Sequence, residues 1–359
     1  MRSPPLKLTT ILFALFSFCG GQCAFGSIDE IFELYNSPGG LAMGNALTAD
    51  ASGYIANYYN PAGLAKASKR NWEIIPLAID GALSLATLGS ITSIGIPQIA
   101  GRLQSLPNKY YYHRLNFVPS ISARGFGTSL LAAYELAARS DGTNLDIHSV
   151  TDFGPTVGGA INLFGNRLKI GVALKGILRT EIKESIAHTV VAEQSQVNGH
   201  TKEGIGLGAD VGIMATWPTA LLPTIGLVVQ NFGTTVFQAS HIADPPNSGV
   251  PDKIPQYLNA AFSVHPNFGK RIKGTIAFEL KHIERSDLAI LSRTNIGFQL
   301  EDERSFYLWL GLSQLYWSAG VAYRLPGGNI ELGSYGQNVG TATTAEEDRR
   351  FLIRYTLGF

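Results

Sequence analysis

The chain has 359 residues with 28 Lys+Arg against 27 Asp+Glu, a formal net charge of +1, and only 15% charged residues, where ordinary soluble domains carry about 25%. Near-neutral charge argues against a nucleic-acid partner, whose binding domain is basic. The 45% hydrophobic content excludes disorder, and two cysteines cannot build a disulfide scaffold.

The chain opens as an export signal. Arg2 and Lys7 precede an apolar run from Leu8 to Phe18, and small residues follow at Gly20, Gly21, Ala24 and Gly26. A basic start, a short apolar core and a small-residue cleavage region mark a secretory signal peptide. It covers 1–24, with cleavage at 24 or 26, and either cut removes Cys19 and Cys23. No cysteine chemistry is then left to the mature chain.

Residues 25–70 do not alternate. Gly39-Gly40-Leu41-Ala42-Met43-Gly44-Asn45-Ala46 is followed by Asp50-Ala51-Ser52-Gly53, and then by Asn60-Pro61-Ala62-Gly63-Leu64. Pro61 fixes its own φ and biases Asn60 away from helix. The Asn60 side chain can close a turn on nearby backbone. Ala62 and Gly63 permit close packing, so Asn60, Pro61, Ala62 and Gly63 read as a rigid structural corner.

From residue 71 the chain is written at period 2. Leu168, Ile170, Val172 and Leu174 alternate with Lys169, Gly171, Ala173 and Lys175. Ile205, Leu207, Ala209, Val211 and Ile213 alternate with Gly204, Gly206, Gly208, Asp210 and Gly212. Trp317, Ala319, Val321 and Tyr323 alternate with Ser318, Gly320, Ala322 and Arg324. Such strands have one apolar and one polar face. Many reach the 9–11 residues needed for a tilted strand to cross a bilayer, and aromatics stand near strand ends at Trp217, Phe232, Phe306 and Tyr323. The expected class is all-β, a transmembrane antiparallel barrel over 71–359.

Fourteen strands are expected, near 71–80, 112–124, 125–138, 147–164, 167–185, 203–217, 222–236, 255–266, 271–284, 291–302, 304–313, 316–326, 328–338 and 349–359; twelve is the alternative count. With fourteen, every second connection is short, and the long ones (81–111, 186–202, 237–254 and 339–348) fall on one side, as external loops do. Within Ala82 to Leu106, Leu85, Leu88, Ile91 and Ile94 recur every third residue, which suggests an apolar helical stripe outside the barrel; an extra hairpin is the alternative, since Pro97 breaks the segment and β-branched residues are frequent. The final strand places Phe351, Ile353, Tyr355, Leu357 and Phe359 on one face. Tyr355, Leu357 and Phe359 resemble the signal read by the outer-membrane assembly machinery.

The segment before the barrel, with its Gly-Ala stretch, Asp-Ala-Ser step and Asn-Pro-Ala-Gly-Leu motif, resembles the FadL/TodX-type outer-membrane transporter family. The resemblance implies a small N-terminal helical hatch at 25–70 plugging the lumen. It also implies passive uptake of long-chain fatty acids or other hydrophobic molecules, leaving laterally through the wall. Val229-Gln230-Asn231-Phe232-Gly233 and Ile254-Pro255-Gln256-Tyr257-Leu258 resemble PorV-like barrels instead, which implies a secretion or surface-attachment accessory.

Phe32, Leu34 and Tyr35 are candidates for an apolar ligand pocket, and Arg324 and Arg354 for a cationic spot that holds a carboxylate by charge-assisted hydrogen bonds. Pairing with lumen carboxylates is the alternative for the cations, and hatch packing for the apolar group. The seven histidines are scattered, so no metal or cofactor is expected. No serine sits in a recognisable nucleophile setting, which leaves a barrel lipase as the weakest reading and a non-enzyme as the expectation. The expected partners are outer-membrane lipid, hydrophobic small molecules and the assembly machinery, for a monomer that binds no nucleic acid. Deleting Phe359 should abolish outer-membrane insertion, scored by heat-modifiable migration of the membrane fraction; normal insertion would refute the assembly signal.

Overall fold

The computed structural model describes residues 30–66, 72–84, 95–242, 249–269, 271–302, 306–340 and 345–358. The proposed signal peptide, the Leu85–Ile94 stripe and Phe359 lie outside the described residues. No described helix is long and apolar enough to cross a membrane.

Fourteen antiparallel strands close into one barrel. They are β1 (Glu73–Ile75 and Leu77–Ser84), β2 (Tyr110–Phe117 and Ser120–Ala123), β3 (Phe126–Ser140), β4 (Asn144–Leu163), β5 (Leu168–Ala187), β6 (Lys202–Thr216) and β7 (Thr224–Gln230 and Phe237–Ala239). Then come β8 (Tyr257–Val264), β9 (Ile272–Leu280), β10 (Thr294–Asp302), β11 (Phe306–Ser313), β12 (Tyr316–Leu325), β13 (Gly328–Asn338) and β14 (Glu347–Leu357). Pro76 and Pro119 divide β1 and β2 because proline cannot donate to the ladder. Each strand pairs with its sequence neighbours, and β14 closes on β1 from Arg350 opposite Ser84 to Leu357 opposite Leu77. A closed ladder leaves no unpaired edge, which is what hydrocarbon demands.

The alternation turns its apolar face outward. In β14, Phe351, Ile353 and Tyr355 are exposed while Leu352, Arg354 and Thr356 are buried. In β5, Val172 and Leu174 are exposed between buried Ala173 and Lys175. At the short-turn end Trp72, Phe126, Phe164, Trp217, Phe268, Phe306 and Tyr323 project outward, an interfacial aromatic girdle. Exposed apolar side chains all round the wall suit only a lipid solvent. This is the architecture of a bacterial outer-membrane barrel.

Strands β4 and β5 are 20 residues long, about twice the span of a bilayer, and continue beyond the lipid-facing band. There Ile182 and Ile186 keep the parity of Val172 and Leu174 but are buried. Three short helices cover them: α3 (Ile96–Gln104), α4 (His188–Val191) and α5 (Gln194–Asn198). Ile99, Leu103, Val191 and Val197 pack on Tyr111, Leu136, Leu145 and Ile147 of the wall. The first long loop thus supplies a helix, at 96–104, that lies against the outside of the barrel.

Residues 38–66 fill the lumen. They form α1 (Pro38–Ala42), a 3-10 turn at Gly53–Ile55, α2 (Ala56–Tyr59) and a 3-10 stretch at Pro61–Lys66. The Ser37 side chain caps α1 by accepting from the Gly40 N–H at 3.1 Å. Inward-facing wall glycines make room for this plug. A Cβ on Gly171 would strike Pro61, on Gly212 Asn60, on Gly226 Thr48, on Gly297 Met43 and on Gly311 Gly44. Gly127 and Gly158 likewise face Asn57 and Leu64. Several of the wall glycines thus stand where the plug backbone comes closest. Gly311→Leu or Gly212→Leu should leave a closed barrel with an unseated plug, exposing Lys66 to trypsin in opened membranes. Gly101→Leu, at a position with open space around it, is the control. Unchanged protection in Gly311→Leu would refute the packing argument.

Candidate functional site

The site is built around an extended strap, residues 30–37, that leads into the plug. Its side chains reach different walls. Glu30 pairs with Arg350 of β14. Phe32 stacks on His148 of β4, ring centroids 4.2 Å apart. Glu33 takes Lys281 Nζ at 2.9 and 3.1 Å, with His282 Nε2 at 3.5 Å. Tyr35 donates to Asp80 Oδ2 of β1 at 3.2 Å. Burial pushes the Glu33 carboxyl upward, but Lys281 and His282 outweigh it and hold it well below the usual carboxylate range. The Tyr35 and Tyr59 hydroxyls are raised well above their ordinary value, first by burial.

Phe32, Leu34 and Tyr35 line one inner cavity with Arg114, Glu135 and Asp152. At about 10 Å³ it has room for one water, and four of its eleven lining residues, Glu33, Arg114, Glu135 and Asp152, are charged. Neither Arg324 nor Arg354 lines this cavity. Arg354 lies 3.5 Å from Glu331 and over the Tyr54 ring at 5.4 Å. Arg324 holds Glu301 at 2.5 Å and the Tyr307 hydroxyl near the short-turn end. Lys175 is 2.5 Å from Asp210, and Arg179 is 2.7 Å from Asp152. The lumen cations named here are thus paired with carboxylates.

The Asn60–Gly63 corner is bound at both ends. Asn60 Nδ2 donates to Thr48 O at 2.9 Å and to Ile213 O and Leu227 O of the wall, both at 3.3 Å. Its Oδ1 accepts from Ala62 N at 3.1 Å. Wall side chains satisfy other plug groups: Glu279 accepts from Thr48 N and Oγ1, Glu331 from Gly39 N, and Ser318 from Gly44 N. At the short-turn end Asp50 Oδ1 meets Lys66 Nζ at 3.2 Å and His265 Nε2 at 2.8 Å. Burial raises the Asp50 carboxyl, but these two partners outweigh it and set it at about 2.

Three features escaped the sequence. A cavity of about 430 Å³ opens at the long-loop end between Leu103, Leu106, Tyr110, Tyr111, Val339 and Asp348. The Arg350 cluster lies beneath it; the run Tyr110-Tyr111-Tyr112 is the one signal that could have marked it. The wall ladder also bulges at β7, with Phe232 N donating to Ala209 O at 2.7 Å across the bulge. Between the Val211–Val229 and Gly206–Phe237 pairs, residues 207–210 of β6 face residues 230–236. Asn231, Gly233 and Thr234 there have φ of 51°, 78° and 70°, while Phe232 and Val236 point outward.

Ser140 Oγ lies 2.7 Å from His188 Nε2. Ser140 is fully buried and accepts from Gly142 N. Asp141 is spent on the Thr143 and Asn144 N–H groups. The group caps a hairpin and presents no accessible nucleophile. No cluster suited to a metal ion occurs among the described residues.

The fold is a fourteen-stranded antiparallel barrel of the bacterial outer-membrane type whose lumen holds a plug. Among solved structures, the monoaromatic hydrocarbon channel CymD matches with a TM-score of 0.55 at 12% identity, covering 90% of this chain and 97% of that one. A TodX monoaromatic hydrocarbon channel lacking S2 and S3 matches with 0.55 at 11% identity, over 90% and 99%. The Pseudomonas putida toluene transporter TodX matches with 0.49 at 11%, over 94% and 98%. No protein-family model matches the sequence, and no curated protein matches it at a significant level.

Two outcomes follow from the anchors. Asn60→Ala strips a donor from three carbonyls and should cost about 1–3 kcal/mol, read as a lower unfolding midpoint in detergent. The Asp50 anchor, depressed to about 2, contributes stability that is complete above about pH 4, the unfolded value, and is lost as pH falls through about 2. Proteolytic protection of Lys66 should therefore hold from pH 8 to 4, and should fail at pH 7 in Asp50→Asn. Unchanged protection in that variant would discard the anchor.

Proposed function

We propose that the protein is a passive outer-membrane channel for hydrophobic molecules, long-chain fatty acids and aromatic hydrocarbons being the candidate cargoes. One observation carries this reading: an N-terminal plug, joined to the wall by side-chain hydrogen bonds and ion pairs, closes a barrel with the fold of monoaromatic hydrocarbon channels. The external cavity would collect the molecule by apolar burial, at roughly 25 cal/mol per Å². Release of the strap and a shift of the plug would then open the route. The bulge between β6 and β7 offers a place for exit into lipid. The channel would act as a monomer, after export by its signal peptide and insertion by the assembly machinery, and without cofactor or catalysis.

A second reading draws on the small size of the inner cavity, about 10 Å³ beside the strap, which favours a PorV-like secretion or attachment accessory. Deleting the gene should lower uptake of labelled toluene or oleate by intact cells several-fold, with the wild-type gene restoring it. Unchanged uptake with an altered set of surface proteins would favour the accessory.

A further inference from the structure

Arg350 is the largest fully buried side chain among the described residues. Nη1 and Nη2 each donate to one oxygen of Glu30 at 2.7 Å, and Nε donates to Asp348 Oδ2 at 2.8 Å. The guanidinium lies over the Tyr112 ring at 3.3 Å, with the Tyr110 and Tyr335 rings at 5.8 and 5.9 Å. The Tyr110 hydroxyl donates to Glu30 Oε2 at 2.7 Å. A cationic fork, a hydroxyl donor and aromatic walls make a complete carboxylate site. Its occupant is not part of the barrel but the first described residue of the strap.

Tyr110 and Asp348, which touch this site, also line the external cavity of about 430 Å³. One layer of side chains therefore separates the cavity from Arg350. We propose that the Arg350 cage is a binding site for small aryl carboxylates, with the Glu30 carboxylate as an internal occupant that the ligand displaces. The proposal rests on the channel reading for how a ligand arrives, but the binding stands by itself.

Exchange of one carboxylate for another leaves the charge of the site unchanged. In the exchange Glu30 would turn toward the cavity, whose lining includes Arg102 and Lys109. A neutral hydrocarbon cannot make the exchange, because buried Arg350 would lose its bidentate partner Glu30 and keep only the Asp348 contact at Nε. Displacement frees the strap at its β14 anchor and leaves the Glu33–Lys281 anchor in place.

The test is calorimetric titration of the purified barrel in detergent with sodium benzoate and, separately, toluene. Glu30→Gln should bind benzoate at least tenfold more tightly than wild type, with toluene unchanged. Arg350→Met should remove benzoate binding from both backgrounds. Arg350→Lys keeps a cation without the fork and should weaken binding tenfold or more, which preserves the test if the methionine variant does not fold. Equal benzoate affinity in wild type and Glu30→Gln, no benzoate binding to Glu30→Gln, or binding indifferent to Arg350 would each overturn the proposal. Intact benzoate binding with cellular uptake unchanged on gene loss would reject the channel and keep the site.

Discussion

The structure depends on one constraint: within hydrocarbon, every backbone N–H and C=O must find its partner inside the protein. The β14–β1 pairing meets it by removing the sheet edge. Closure then forces the rest. With hydrogen bonds running round the wall, side chains can point only outward to lipid or inward to the lumen. The outward set must be apolar, and the inward set must fill a space that a fourteen-stranded barrel leaves too wide for wall side chains alone. The plug fills it.

That division accounts for the composition. Low charge reflects the lipid face, and excess glycine reflects close approach of the plug backbone, at Gly171 against Pro61 and at Gly311 against Gly44. The balanced charges are buried pairs such as Lys175–Asp210 and Arg179–Asp152. The plug is held in two ways: an apolar cluster joins Met43, Tyr58 and Leu64 to Leu131, Met214 and Trp309 of the wall, and wall acceptors bind its backbone, with Glu279 on Thr48 and Glu331 on Gly39.

What was legible in the sequence was what repeats. Period 2 marks fourteen strands because each position faces one of two solvents, and the short and long connections sort the two ends. The bulge in β7 was not legible: residues 222–236 look like one strand, because Val228, Val229 and Phe232 keep an apolar character through a backbone turn at Asn231. The external helices hid for a similar reason. Ile182 and Ile186 read as lipid-facing, and only the fold shows Ile99 and Val197 covering them. Sites fared worst. Phe32, Leu34 and Tyr35 meet in one cavity, but Arg324 and Arg354 do not join them. Arg350, with Glu30 320 positions away, carries no local pattern at all.

The plug bonds also bear on biogenesis. Thr48 reaches Glu279, Ala42 reaches Ser318 and Gly39 reaches Glu331 across 231, 276 and 292 positions. Contacts of such separation form late and slowly. The plug, which precedes every strand in the chain, is then among the last segments to be satisfied. Until β9, β12 and β13 are in place, its Gly-Ala backbone must stay hydrated on the periplasmic side, open to proteases and holding chaperones. Seating of the plug is thus a natural checkpoint for a finished barrel.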